Sequence, residues 1–435
     1  MLSAFMNAFR TPDLRRKLLF VLMIIVIFRA GSQIPAPGVN VANVQSCLGD
    51  QANQEGVYNL INLFSGGALL QLTIFALGIM PYITASIILQ LLVVVIPRLE
   101  LLKKEGQAGQ TKITQYTRYL TLGLALLQAT GIVALARSGN LLQNCDNTLF
   151  PLLHNDNLST FIVMVITMTA GTAVIMWLGE LITERGIGNG MSILIFCQVV
   201  ATFPTALWAV GKSQGWWVFG VVIAVGLVIV AAVIFIEQAQ RRIPVQYARR
   251  MVGRKMFGGS STYIPLKVNQ AGIIPVIFAS SLLYLPAMAV QFNSTSTSGW
   301  VDFVSSYFVR GDHPLYMATF FGLIVFFTYF YVSITFNPTE VADNMKKYGG
   351  FIPGIRAGKP TEDYLSYVLS RITLPGALYL GLISLIPLIA IVLINADQSF
   401  PFGGTSILIM VGVALDTVKQ IESQLQQRNY EGFLR

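Results

Sequence analysis

Ten apolar runs of membrane-spanning length divide this chain, near residues 18–33, 72–97, 118–136, 158–179, 190–210, 217–236, 271–292, 314–336, 372–395 and 403–418. A helix that crosses a bilayer takes about 20 apolar residues, because it must cover roughly 30 Å of hydrocarbon and satisfy its backbone internally. Composition agrees: 54% of the 435 residues are hydrophobic and 11% are charged, against roughly 25% charged in an ordinary soluble domain. The runs predict an all-α membrane protein with ten transmembrane helices.

Arg10, Arg15, Arg16 and Lys17 precede the first run, and Ala30-Gly31-Ser32 has the small residues of a signal-peptidase site. With nine further runs behind it, an uncleaved signal-anchor is the simpler reading. Letting the connections alternate between faces puts residues 1–17, 98–118, 180–189, 237–270, 337–371 and the tail from 416 on one side. That side carries 25 of the 29 Lys and Arg, and the other keeps Arg29, Arg137, Lys212 and Arg310. By the positive-inside rule the basic side is cytoplasmic, and so are both termini. The net charge of +9 is therefore a topology signal before it is a sign of nucleic acid.

Ten spans divide into two groups of five, residues 1–210 and 211–435, and an odd number of crossings starts the second group on the opposite face. Two inverted halves are thus allowed, an arrangement that transporters use to build a pathway between repeats. Two inner connections, 237–270 and 337–371, are far longer than orientation requires. They hold Arg241, Arg242, Arg249, Arg250, Arg254 and Lys255, then Lys346, Lys347, Arg356 and Lys359, with glycines at 253, 258, 259, 349, 350 and 354 for reversing tips. They read as a docking surface for an acidic or phosphate-rich partner.

Catalysis needs positioned acids, bases or nucleophiles, and few are here. Both histidines, His154 and His313, fall in outer connections, and the three cysteines make no zinc spacing. Gly186, Gly188 and Gly190 follow a span rather than a strand, so a tight turn is preferred to a dinucleotide loop. The helix middles are almost free of charge, which disfavours a proton- or sodium-driven pump. A conduit driven from elsewhere fits better, and a small-solute transporter is the alternative. Ile79 and Ile83, like Met191 and Ile195, are four apart and could each present one helical face, although such pairs are usually packed or lipid-facing. Before the second run, Asn62-Leu63-Phe64-Ser65-Gly66-Gly67 is moderately apolar and glycine-broken, as a re-entrant half-helix would be.

Several stretches resemble the SecY/Sec61-alpha family of protein-conducting channels. They are 64–69 (FSGGAL), 74–83 (IFALGIMPYI), 115–119 (QYTRY), 177–180 (WLGE), 183–190 (TERGIGNG), 240–243 (QRRI), 265–269 (PLKVN), 351–356 (FIPGIR) and 402–406 (FGGTS). The resemblance implies two inverted five-helix halves around a central pore, narrowed by an apolar ring of Ile79, Ile83, Met191, Ile195, Ile277 and Ile409. It implies a plug helix near 57–70, containing Asn62 to Gly67 and hinged at Gly66 and Gly67. It also implies a lateral gate lined by Thr84, Gln90 and Asn269, through which membrane segments of signal-bearing preproteins pass to the membrane lipids.

The basic loops, with Arg356 at a prominent position, would then dock the ribosome and the SecA ATPase, while SecE clamps the halves and SecG binds peripherally. No cofactor or metal is implied, and the setting would be a bacterial plasma membrane. Cys47 and Cys145 would both face its oxidising side, where their pairing is an open expectation.

Overall fold

The computed structural model describes residues 11–49, 67–69, 71–138, 151–154, 157–247, 250–252, 255–257, 261–292, 299–309, 313–394 and 404–432. Its helices follow the apolar runs: α1 (Pro12–Gly31), α2 (Val41–Gly49), α3 (Met80–Val95), α4 (Pro97–Lys104), α5 (Gln107–Ser138), α6 (Leu158–Arg185) and α7 (Gly190–Gln214). Then come α8 (Trp216–Gln238), α9 (Ile274–Phe292), α10 (Gly299–Val304), α11 (Pro314–Thr335), α12 (Pro338–Lys347), α13 (Lys359–Ile394) and α14 (Gly404–Gly432). Prolines open α1, α3, α4, α11 and α12, where the missing N–H costs nothing and the fixed φ suits the first turn.

Among the described residues, five helical stretches are long and apolar enough to cross a membrane: Gln107–Arg137, Leu158–Arg185, Phe219–Gln238, Pro314–Lys347 and Lys359–Ile386. The pair α3 and α4 makes a sixth only as a bent span, broken by 99°. The bend has a local cause: Ile96 is extended (φ −100°, ψ 110°) because the ring of Pro97 disfavours helical backbone before it. Broad apolar surfaces remain exposed, including Val95, Leu227, Val228 and Phe235, which suits lipid and not water. Several buried hydroxyls bond their own helix, as Thr121 Oγ1 does to the Thr117 carbonyl at 2.7 Å and Thr328 Oγ1 to that of Ile324 at 2.7 Å. Polar side chains are thereby tolerated among apolar helices.

The run 72–97, predicted as one continuous span, is helical only from Met80; residues 71–79 form turns. This irregular backbone is buried in protein and satisfied there: Ala36 N donates to the Leu72 carbonyl at 2.9 Å, and Ile74 N to that of Ile34 at 3.0 Å. Leu72, fully buried, holds a left-handed φ of 48°, a conformation that only such surrounding contacts maintain in a branched residue.

The sequence predicted no strands, yet five occur among the described residues: β1 (Gln240–Tyr247), β2 (Arg250–Val252), β3 (Lys255–Phe257), β4 (Ser261–Lys267) and β5 (Gly350–Phe351). β1 pairs antiparallel with β4 from Gln240 opposite Lys267 to Gln246 opposite Ser261, and with β5 through Gln246–Phe351 and Tyr247–Gly350. The two long basic connections therefore share one sheet, ordered β4-β1-β5. Ile243, Val245, Leu266, Met345, Ile352, Leu365 and Val368 form its apolar underside. The alternation along β1, with Ile243 and Val245 buried between exposed neighbours, is the period-2 signal of a half-buried strand, short enough to be hidden by the prolines at 244 and 265.

Candidate functional site

Two large apolar clusters meet around α14. One joins α1, the 71–79 turns, α6, α7 and Ile409 and Val413 of α14. The other joins α8, α9, α11, α13 and the opposite side of α14, with Ile407, Leu408, Val411 and Leu415. Ile79, Met191, Ile195 and Ile409, from three segments remote in sequence, lie together in the first cluster, 1 to 8% exposed. Ile83 is half-buried against both clusters. Ile277 is buried at 6% but stands outside the cluster that holds the other four. Ile273 and Met410, which the sequence reading passed over, touch both clusters instead. Ile273 stands four residues before Ile277, the same spacing that singled out the other pairs, so the signal was present.

Close backbone approaches set these side chains. Phe75 stacks on Phe28 of α1 at 5.9 Å between ring centroids, and any side chain at Gly31 would strike the Phe75 ring. Gly171 of α6 lies against the Ile74 carbonyl in the same way. The 71–79 turns are thus pressed between α1 and α6, which sets Ile79 at the N-cap of α3. The turn from α6 into α7 is equally constrained. Gly188 has φ +87°, Thr183 Oγ1 accepts from Gly190 N at 2.9 Å, and Asn189 Oδ1 caps α7 by accepting from Met191 N at 3.1 Å. Residues 183–190 therefore form the expected tight turn. A Cβ at Gly179 would run into the Met191 sulfur, so the glycine leaves the space that Met191 fills.

Glu180, at the start of the connection 180–189, accepts two bonds from Arg118 of α5: Nε to Oε1 at 2.8 Å and Nη2 to Oε2 at 2.7 Å. Gln115 Oε1 accepts from Arg118 Nη1 at 3.2 Å. The QYTRY and WLGE stretches are thereby one structure, a charged tie between α5 and α6.

The polar residues singled out for a gate differ in setting. Thr84 Oγ1 donates to the Met80 carbonyl at 2.9 Å, and the exposed Gln90 bonds Ser86 Oγ at 3.4 Å. Asn269 is buried at 3%, and its Nδ2 donates to Glu237 Oε2 at 3.0 Å and to the Gly272 carbonyl at 3.2 Å.

Arg241 and Arg242 are exposed on β1, the latter with its guanidinium 4.9 Å from the centre of the Tyr263 ring. Arg250 and Lys255 belong to the small β2–β3 ribbon. Arg356 is exposed in a turn pinned by Thr361 Oγ1, which donates to the Arg356 carbonyl at 2.8 Å. Of the expected plug, 57–70, only residues 67–69 are described, with Gly67 at φ +88° and Ala68 and Leu69 buried. Asn62, Leu63, Phe64, Ser65 and Gly66 lie outside the described residues, as do Arg249, Arg254 and Cys145. The side chain of Cys47 is likewise not described.

A family model for SecY matches residues 73–418. The protein translocase subunit SecY of Streptomyces galbus is 68% identical over 439 residues, covering all of both chains. A solved protein-conducting channel superposes with a TM-score of 0.61 at 19% identity, covering 94% of this chain and 91% of that one. Sec61 in the canine ribosome–channel complex from the endoplasmic reticulum gives a TM-score of 0.58 at 18% identity over the same shares. With the family match spanning most of the sequence and the curated relative matching end to end, the chain belongs to the SecY family of protein translocase channel subunits.

Proposed function

We propose that this chain crosses the membrane ten times, as two inverted halves comprising residues 1–210 and 211–435, and that polypeptide passes along the seam between them. The chain is the central channel subunit of a translocon and not an enzyme, and its relatives do not favour a small-solute transporter. One observation carries the finer reading: Ile79, Met191, Ile195 and Ile409 converge from three segments on one buried apolar cluster, with Ile83 against it. An apolar constriction of this kind holds no stable water column, so it blocks ions while making no specific bond to a passing chain.

Ile277 joins the ring in this proposal by a shift of α9 rather than in the packing seen here. Residues 57–70 act as the plug, and Thr84, Gln90 and Asn269 line the gate to lipid. The basic β1–β4 hairpin and the Arg356 turn dock the ribosome and SecA, SecE clamps the halves and SecG binds at the periphery. Both termini face the cytoplasm of a bacterium. Vesicles reconstituted with this chain, SecE, SecA and ATP test the reading. A signal-bearing preprotein becomes protected from added protease if it holds, and remains fully digestible if it does not.

A further inference from the structure

Among the described residues, six carry a buried side-chain nitrogen or oxygen with no hydrogen-bond partner: Gln198, Asn269, Gln270, Ser281, Tyr379 and Ser406. Asn269 and Gln270 line a polar cavity and Tyr379 stands on α13. The other three share one relation to the isoleucines of the seam. Gln198 follows Ile195 by three residues on α7, Ser281 follows Ile277 by four on α9, and Ser406 precedes Ile409 by three on α14. Each therefore shares a helical face with its isoleucine. Gln198 and Ser406 are 0% and 1% exposed, and both polar atoms of the Gln198 amide are unmet.

The three pairs are level across the fold. Ser192 of α7, Ile274 of α9 and Gly412 of α14 are the residues farthest along each helix that line the polar cavity, whose wall also includes Glu237 at the end of α8 and Lys267 at the end of β4. Those two place the cavity on the side of the β1–β4 hairpin. Ile195, Ile277 and Ile409 each lie three residues beyond this lining, and Gln198, Ser281 and Ser406 six or seven residues beyond it. At 1.5 Å per residue the isoleucines stand about 4.5 Å past the cavity and the polar groups about 9–10 Å past it. All three helices thus repeat one order: polar cavity, isoleucine, unmet polar group.

Buried polar atoms are costly to leave unpaired, and these sit among the apolar clusters of the seam. One is an amide and two are hydroxyls, uncharged groups that both donate and accept. Such a set selects no ion. It fits a neutral partner that also donates and accepts, which is a peptide group or water. A pathway open to chains of any sequence meets one polar group in all of them, the peptide unit, about every 3.3 Å along an extended backbone.

We propose that Gln198, Ser281 and Ser406 form a polar collar, one turn beyond the isoleucines, that hydrogen-bonds the backbone of the passing chain. Ser281 joins it with the shift of α9 that brings Ile277 to the ring. The proposal rests on the channel reading and adds to it a place where extended backbone is held.

The test halts a preprotein midway through the reconstituted channel, using a tightly folded domain at its trailing end, then removes ATP and SecA and times how fast the chain slides back. Two clients differ only in the stretch at the halted position, alanine-rich or proline-rich, since proline has no N–H to donate. In the unaltered channel the alanine client is held about fivefold longer, the ratio that one net hydrogen bond supplies. In the triple variant Gln198→Leu, Ser281→Ala, Ser406→Ala the alanine client slides back about fivefold sooner and the ratio falls toward one. Gln198→Leu alone, which removes both unmet amide atoms at nearly constant volume, moves the ratio in the same direction and serves where the triple variant does not assemble. An alanine-to-proline ratio that is the same in unaltered and altered channels overturns the collar, assigns the three groups to water and leaves the channel standing. Failure of the unaltered channel to take up either client overturns the channel reading itself.

Discussion

Arg118 on α5 and Glu180 on α6 meet in a two-pronged ion pair, with both N–O distances below 3 Å. The planar guanidinium and carboxylate match as a fork, and the pair ties α5 to α6. The Glu180 side chain is 19% exposed and that of Arg118 38%, so water screens the pair in part. Removing one partner of a fully buried pair costs about 3–5 kcal/mol. Here Arg118→Met or Glu180→Gln is expected to cost about 1–2 kcal/mol after screening. A double-mutant cycle by thermal unfolding in detergent should give a coupling of about 1 kcal/mol. Strictly additive losses would show that the two groups act independently.

Ile83 stands against both apolar clusters and Ile409 is 1% exposed within one of them. Glycine at both positions removes the apolar bulk that excludes water. Single-channel recording in planar bilayers should then detect an ion leak that the unaltered channel lacks. Unchanged conductance would take both residues out of the barrier.

Gly179 faces the Met191 sulfur without room for a side chain. Gly179→Leu should displace Met191 and cost about 1–3 kcal/mol through overpacking. The same ion leak is expected from Gly179→Leu and from Met191→Ala, whereas a Gly179→Leu channel that stays tight would mean that Met191 is not part of the seal.

Arg356 is exposed, and its own side chain enters none of the contacts that hold its turn. Arg356→Glu should leave assembly with SecE intact, by co-purification, and reduce SecA-dependent transport several-fold. Normal transport by that variant would remove the residue from the docking surface.

Leu266 of β4 is fully buried beneath the sheet. Leu266→Ala should cost about 2–5 kcal/mol locally and weaken SecA binding although no basic residue is touched, because β1 aligns both loops. Binding unaffected by Leu266→Ala, measured beside Arg356→Glu, would show that the loops dock independently.

Charge asymmetry and apolar runs were legible at once, because burial in lipid constrains every residue of a span. The tight turn at 183–190 was legible too, since Gly188 needs a left-handed φ and Asn189 is a strong cap. The break in the second run was not. A propensity argument would have continued the helix back to Leu72, whereas the contacts of Phe28, Gly31 and Gly171 hold residues 71–79 in turns. Nor was the sheet, whose pairing of Gln246 with Phe351 joins positions more than a hundred residues apart.

The sequence by itself determined that the chain lives in a membrane, that two long connections are rich in basic residues and that its apolar runs carry little charge, since each follows from residue type and local spacing. Only the tertiary structure decided that Ile79, Met191, Ile195 and Ile409 share one cluster while Ile277 stands apart. The same is true of Arg118 finding Glu180 and of the two basic loops forming one platform. Spacing along a helix fixes which side chains share a face. Which face meets which depends on close backbone approaches at a few glycines and on long-range strand pairing, and these arise only when distant segments pack.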